Sequence, residues 1–148
     1  MDQNSALIAL SQSEQTDYGR IPFATQSDLQ KVFSAIWELE DQVNNGGFTQ
    51  YLRNADSDII RYAPFALRAI GANSCKQIVE HALSVVAPLP DTAVARHVAL
   101  DQLGEAGQQA LAKLDEEFFA YPDDLTGLLF GFVCQHPEEF GNVPSTPD

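Results

Sequence analysis

The fold of this chain is decided by residues 27–54, whose sequence is SDLQKVFSAIWELEDQVNNGGFTQYLRN. Ser27 and Gln30, three residues apart, match a capping box, which is a signal for the start of a helix. Apolar residues then recur at helical spacing and predict one buried helix face; they are Leu29, Val32, Phe33, Ile36 and Val43. The Asn-Asn-Gly-Gly sequence at 44–47 predicts the end of this helix, because glycine accepts the left-handed conformation found at helix ends.

Helical periodicity continues through the rest of the chain, whereas the alternation typical of strands is essentially absent. After a short helical turn at 48–54, further helices are predicted over residues 57–71, 73–86, 91–103, 108–121 and 123–133. Asn73 or Ser74 is expected to cap the second of these five, and Asp123 or Asp124 the last. The pattern predicts an all-α fold of about six to seven helices joined by short turns.

The chain is expected to form a single compact domain, because its length is that of one ordinary domain. The strong helical pattern begins at residue 27, and residues 27–141 are expected to form this domain. Residues 1–26 are the least patterned and are expected to contain a short helix or loop. Residues 142–148 include two prolines and are expected to be a frayed C-terminus.

The charge of the chain limits its partners. Its 148 residues include 21 acidic and 8 basic ones, which gives a formal net charge of −13. Direct binding to nucleic acid is not expected, because it requires a basic patch that neutralises phosphates. Binding to an anionic membrane is not expected for the same reason. Two explanations of the acidity stay open: either the partner is basic, or the charge keeps the protein soluble.

The cysteines and the N-terminal sequence predict a cytoplasmic location. Cys75 and Cys134 are too few and too far apart for a disulfide framework or a zinc site, and two free thiols fit a reducing compartment. The N-terminus has no basic region before its short apolar stretch at 6–10, so a signal peptide is not expected. No apolar run has the ~20 residues that a membrane span needs.

Neither catalysis nor a metal or other cofactor is expected from the sequence. His97 and Asp101 are one helical turn apart, but such a pair supplies at most two metal ligands. Cys75 lies at a predicted helix N-terminus, where the dipole favours a thiolate, but the sequence offers no base beside it. Gly46 and Gly47 follow a helix rather than a strand, which does not fit a nucleotide-binding turn.

The carboxylates are the remaining candidates for function. Spread over roughly 7,500 Å² of surface, the net charge is about five times more dilute than that of a DNA duplex. Only a clustered arrangement would therefore resemble DNA. The sequence indicates such a bias, because no Lys or Arg follows Lys113 whereas eight acidic residues do.

A resemblance adds to this pattern and covers residues 27 to about 141. The segment 37–54 closely resembles the hallmark V-N-N-G-G-F-x-Q-Y of a bacterial DNA-mimic protein family, typified by a neisserial member and consisting otherwise of domains of unknown function. Ile-Gly-Ala at 70–72, Leu-Asp-Glu-Glu-Phe-Phe at 114–119 and His-Pro-Glu-Glu-Phe at 136–140 fit the same family pattern.

Most of the hallmark segment is interpreted as structural. Its large apolar residues are expected in the core; they are Trp37, Val43, Phe48 and Tyr51. Its amides are expected to bond backbone groups that the helix end leaves free; they belong to Asn44, Asn45 and Gln50.

The resemblance implies a helical protein that presents carboxylates in place of phosphates. Such a protein is expected to occupy the DNA-binding surface of a basic protein, such as a transcription factor or nucleoid protein, and to regulate transcription by competing with DNA. The contact residues expected here are Asp115, Glu116, Glu117, Asp123, Asp124, Glu138 and Glu139. Two alternatives stay open: a helical interaction module whose acidity serves only solubility, and an unrecognised enzyme that uses Cys75 or His97.

Overall fold

The computed structural model describes residues 2–12 and 21–141, and it confirms the all-α prediction. These residues form eight α-helices, a short 3-10 helix at Phe23–Thr25 and no strand. The helices are α1 (Gln3–Ser11), α2 (Asp28–Asn54), α3 (Ser57–Ala69), α4 (Asn73–Val85), α5 (Ala93–Asp101), α6 (Gly104–Phe119), α7 (Leu125–Cys134) and α8 (Pro137–Phe140). The predicted frayed C-terminus at 142–148 lies outside the described residues.

Helix α2 begins and breaks where the sequence predicts. The Ser27 hydroxyl accepts a hydrogen bond from the Gln30 N–H at 3.2 Å, and the Ser27 N–H donates to the Gln30 side chain at 3.3 Å. Gly46 and Gly47 then leave helical geometry, with φ of −161° and +74°. The helix resumes at Phe48, so the two glycines make a kink within one long element.

The core surrounds α2, which packs against α3, α5, α6, α7 and α8. Val43, Phe48 and Tyr51 are fully buried, as the hallmark segment predicts. Trp37 is only half-buried, and it lies at the edge of the core in a parallel stack with Phe33 at 5.6 Å between ring centroids. The tryptophan therefore has a side available to something other than the core.

The predicted cap of α4 is wrong. Asn73 is the first helical residue and Ala72 is the N-cap, so neither Asn73 nor Ser74 is placed to cap the helix. The carboxylate of Asp123 instead accepts the Cys75 N–H at 2.7 Å. A free N–H group of the first turn is thus satisfied from another part of the chain.

The C-terminus of α2 is capped by α5. The Arg96 side chain is 3% exposed, and its Nη1 donates to the carbonyl oxygens of Leu52 and Ala55. Those carbonyls end the helix and carry the negative end of its dipole, which favours a cation there.

Within the described part of the chain, no helix is long and apolar enough to span a bilayer.

Candidate partner-binding surface

The seven carboxylates expected to contact a partner fall into two groups. The first group lies in α6 and in the turn after it, and the second lies in α8. Four of the seven are exposed: Glu116, Glu117, Asp124 and Glu138. The other three are half-buried: Asp115, Asp123 and Glu139.

The carboxylate of Asp115 is directed toward the kink of α2. It accepts the Phe48 N–H at 2.7 Å and so caps the resumed half of that helix. Burial raises the pKa of this carboxyl above its usual value, and the bond from Phe48 acts in the opposite direction. Asp115 therefore has a structural role as a helix cap and is only partly exposed.

Four more of the seven carboxylates also have partners within the chain. Asp123 caps α4 as described, and Asp124 accepts the Gly127 N–H at 3.1 Å as the N-cap of α7, as predicted. Glu139 accepts from the Ser27 hydroxyl at 2.9 Å, and Glu138 lies 3.2 Å from a ring nitrogen of His136. Asp124 and Glu138 remain exposed while making these contacts.

Asp123 and Asp124 directly precede α7, and Glu138 and Glu139 follow it in α8. Helix α7 has ten residues, so its ends are about 15 Å apart. That length corresponds to about four base-pair steps of a duplex.

Of the two side chains considered for catalysis, Cys75 is buried and His97 contacts a backbone carbonyl. Cys75 is 1% exposed, and burial followed by the nearby charge of Asp123 raises its pKa to about 12, so it is a neutral thiol at physiological pH. His97 Nε2 lies 3.0 Å from the carbonyl oxygen of Arg53. Asp101 does not pair with His97 but forms an ion pair with Arg53 at 2.9 Å.

Among residues 2–12 and 21–141, no group of three or more His, Cys, Asp or Glu side chains is arranged to hold a metal ion.

The structure reveals a groove that the sequence did not single out. It has a volume of about 340 Å³ and lies between α1, α2 and Thr126 at the start of α7. The α2 wall consists of Trp37, Glu40, Asp41, Asn44 and Asn45, all from the hallmark segment. These residues are three or four apart, so they share one helix face. The hallmark segment thus has a core face and a groove face.

The amides of the hallmark segment are used in different ways. Asn45 donates to the Asp41 carbonyl at 2.7 Å, which fits the prediction of a bond to the backbone. Gln50 instead donates to the side chain of Gln42 at 2.8 Å. Asn44 is exposed and lines the groove.

Glu40 is the unusual ionisable group of the groove. Burial, and then repulsion from the Asp124 carboxylate, raise its pKa from 4.5 to about 7. Asp41 is the other acidic residue of the lining, and the described lining contains no Lys or Arg. Glu40 therefore stays protonated to a higher pH than an exposed carboxyl would.

This environment makes folding depend on pH through Glu40. Since the folded state binds the Glu40 proton more tightly than the unfolded state, the stabilisation contributed by protonated Glu40 is complete below about pH 4.5 and is lost as the pH rises to about 7. Glu40→Gln, which resembles the protonated form, should raise the free energy of unfolding near pH 8 by about 2 kcal/mol and change it little near pH 4. Urea denaturation at both pH values measures this difference.

Glu105→Gln is the control, because it removes an exposed carboxylate in α6 whose hydrogen-bond partner is the nearby Gln109. Its effect on unfolding should be small at both pH values. An equal effect of Glu40→Gln at the two pH values would show that titration of Glu40 does not control stability.

Comparison with known proteins identifies the family. A family model described as DMP19-like protein matches residues 24–136, which include the kinked α2, the α6 carboxylates and α7. No match was found among curated proteins or among solved structures. The match spans more than half of the chain and confirms the resemblance carried by the hallmark segment. The chain therefore belongs to the family of DMP19-like proteins, named for DNA mimic protein 19.

Proposed function

We propose that this protein is a non-enzymatic DNA mimic that binds a basic DNA-binding protein, such as a transcription factor or nucleoid protein, and competes with DNA. Membership of the DMP19-like family supports a DNA-mimic role. The observation that carries the proposal for this chain is the charge after Lys113: the sequence contains no Lys or Arg there, and four carboxylates are exposed among the described residues 114–141.

Exposure distinguishes four of the seven carboxylates that are expected to contact a partner. Glu116, Glu117, Asp124 and Glu138 are the exposed members of the seven, and we call them the exposed carboxylates. Asp115 and Asp123 act mainly as helix caps. The exposed carboxylates are therefore expected to provide most of the attraction to a basic surface, and this attraction is weakened by salt.

Competition with DNA is the direct test. Purified basic DNA-binding proteins are each bound to a fluorescently labelled duplex, and the full chain is added while anisotropy is recorded. For a true partner, the chain should release the duplex at about 50 mM salt, because charge attraction is strong there. The triple variant Glu116→Lys, Glu117→Lys, Glu138→Lys should lose at least about tenfold in competing strength.

A matched control variant distinguishes recognition of the exposed carboxylates from an effect of net charge alone. Asp91→Lys, Asp101→Lys and Glu105→Lys reverse three exposed residues that precede Lys113. Either triple variant changes the net charge from −13 to −7, since each reversal adds two units. The control should compete nearly as well as the unchanged chain.

The test also decides the alternative function. If both triple variants bind the partner like the unchanged chain, the partner recognises an apolar or mixed surface and the acidity serves solubility. If the chain releases no duplex from any protein in the panel at low salt, the proposal is wrong for those proteins.

A further inference from the structure

The groove between α1, α2 and α7 has the properties of a binding site. Its volume of about 340 Å³ lies at the lower end of the range for ligand pockets, which suits one side chain better than a folded element. Its α2 wall combines an indole, two carboxylates and two carboxamides. All of these groups interact favourably with a cation.

The charges of the groove lining determine whether a bound ligand can be an anion or a cation. Glu40 and Asp41 lie in the lining, and Asp124 is close enough to repel Glu40. Within the described lining there is no Lys or Arg that would neutralise them. An anionic occupant would be repelled, whereas a cation would relieve the repulsion among the carboxylates.

The shape of the groups distinguishes between the two common cations. A guanidinium is planar, donates two parallel hydrogen bonds to a carboxylate and stacks on aromatic rings, whereas an ammonium is a compact point charge. Trp37 is held by its stack on Phe33, and Asp41 accepts from the Asn45 side chain at 3.2 Å. The aromatic ring and the carboxylate are thus positioned before any ligand arrives.

We propose that this groove binds an arginine side chain of the basic partner, with the guanidinium between Trp37 and the carboxylates of Glu40 and Asp41. This inference rests on the proposed function, because it assumes that the partner is basic. It adds a discrete pocket to the attraction of the exposed carboxylates. The groove fixes where one partner residue sits, and the exposed carboxylates attract the partner from a distance.

The chain contains its own reporter of groove binding, because Trp37 is its only tryptophan. The full chain is titrated with the peptide acetyl-Gly-Arg-Gly-amide while tryptophan emission is followed. The emission should change and saturate. The same peptide with citrulline, which is neutral and nearly the same shape, should produce no saturable change. A lysine peptide should bind at least about threefold more weakly, since it lacks the planar fork.

Substitutions in the groove test the assignment of residues. The double variant Glu40→Gln, Asp41→Asn should weaken binding of the arginine peptide by at least about tenfold. The control Asp101→Asn, Glu105→Gln removes the same charge from exposed positions in α5 and α6 and should bind within about twofold of the unchanged chain. Far-ultraviolet circular dichroism confirms that both variants are folded.

Three results would overturn the inference. They are saturable binding of the citrulline peptide, equal affinity for lysine and arginine peptides, and unchanged affinity in the groove variant. An error in the groove assignment is distinguishable from an error in the DNA-mimic proposal. If only the groove assignment is wrong, the chain still releases DNA from its partner while Trp37 does not respond to the peptide. If only the mimicry is wrong, the peptide still binds and no DNA is released.

Discussion

Arg96→Met should lower the free energy of unfolding by about 3 kcal/mol, because it leaves two buried carbonyl groups at the end of α2 without a donor. In the native structure Nη1 of Arg96 donates to the carbonyl oxygens of Leu52 and Ala55. Methionine keeps much of the apolar stem but has no donor. For a chain of this size, the loss corresponds to a decrease in Tm of roughly 10 °C. Urea denaturation and thermal melting measure both quantities.

Two further substitutions separate the hydrogen bonds from the charge. Arg96→Lys keeps a cationic donor, but its shorter side chain does not place the ammonium where Nη1 lies between the two carbonyls, so an intermediate loss is expected. Arg61→Met is the control, because Arg61 is exposed and bonds the Leu89 carbonyl and Asp91 at the surface. It should cost less than about 1 kcal/mol. Equal losses for Arg96→Met and Arg61→Met would show that the buried cap is unimportant.

Gly47→Ala should destabilise the fold by about 3 kcal/mol, because two separate costs meet at this residue. Its φ of +74° with ψ of −173° belongs to a region that only glycine adopts readily. An added Cβ would also lie 2.4 Å from Oδ2 of Asp115, whose carboxylate is held by its bond to Phe48. Relieving that overlap would break the cap of the resumed helix.

The control for backbone strain is Gly71→Ala. Gly71 has a similar φ of +82°, but an added Cβ would meet no atom within 4 Å. A loss of about 1 kcal/mol is expected there. The double variant Gly47→Ala, Asp115→Ala should lose less stability than its two single variants together, because removing the carboxylate removes the overlap. Additive losses would mean that Asp115 does not collide with the new methyl group.

Both predictions concern contacts that join distant parts of the chain, and such contacts could not be predicted from the sequence. The capping box at Ser27 and Gln30 was confirmed because both partners lie in one turn of helix. The same holds for Asp124, which caps the helix that follows it. The cap of α4 was predicted wrongly because its donor and acceptor are 48 residues apart.

The expected partner surface was open to prediction only in part. Composition showed that acidic residues accumulate after Lys113, but not which of them are already used within the fold. Asp115 looked like its neighbours Glu116 and Glu117 in the sequence. In the structure it is half-buried and caps a helix 67 residues away. Helix periodicity describes which face a residue lies on, but not what packs against that face.

The groove could not be predicted from the sequence for a related reason. Its α2 residues occur in the hallmark segment, where the spacing of Trp37, Asp41 and Asn44 does indicate a common face. The sequence did not show that this face meets α1 and the start of α7 and remains partly open. Only packing of three helices creates a pocket there, and only burial beside Asp124 raises the pKa of Glu40.

By itself, the sequence determined the helices from α2 to α7, the acidity and the break at Gly46 and Gly47, because periodicity, charge and glycine geometry act within a few neighbouring residues. The tertiary structure alone decided the caps supplied by Asp115, Asp123 and Arg96, and the groove beside Glu40. The physical reason is that a buried donor or acceptor is satisfied by whatever group packing brings to it, and the order of residues along the chain does not specify that group.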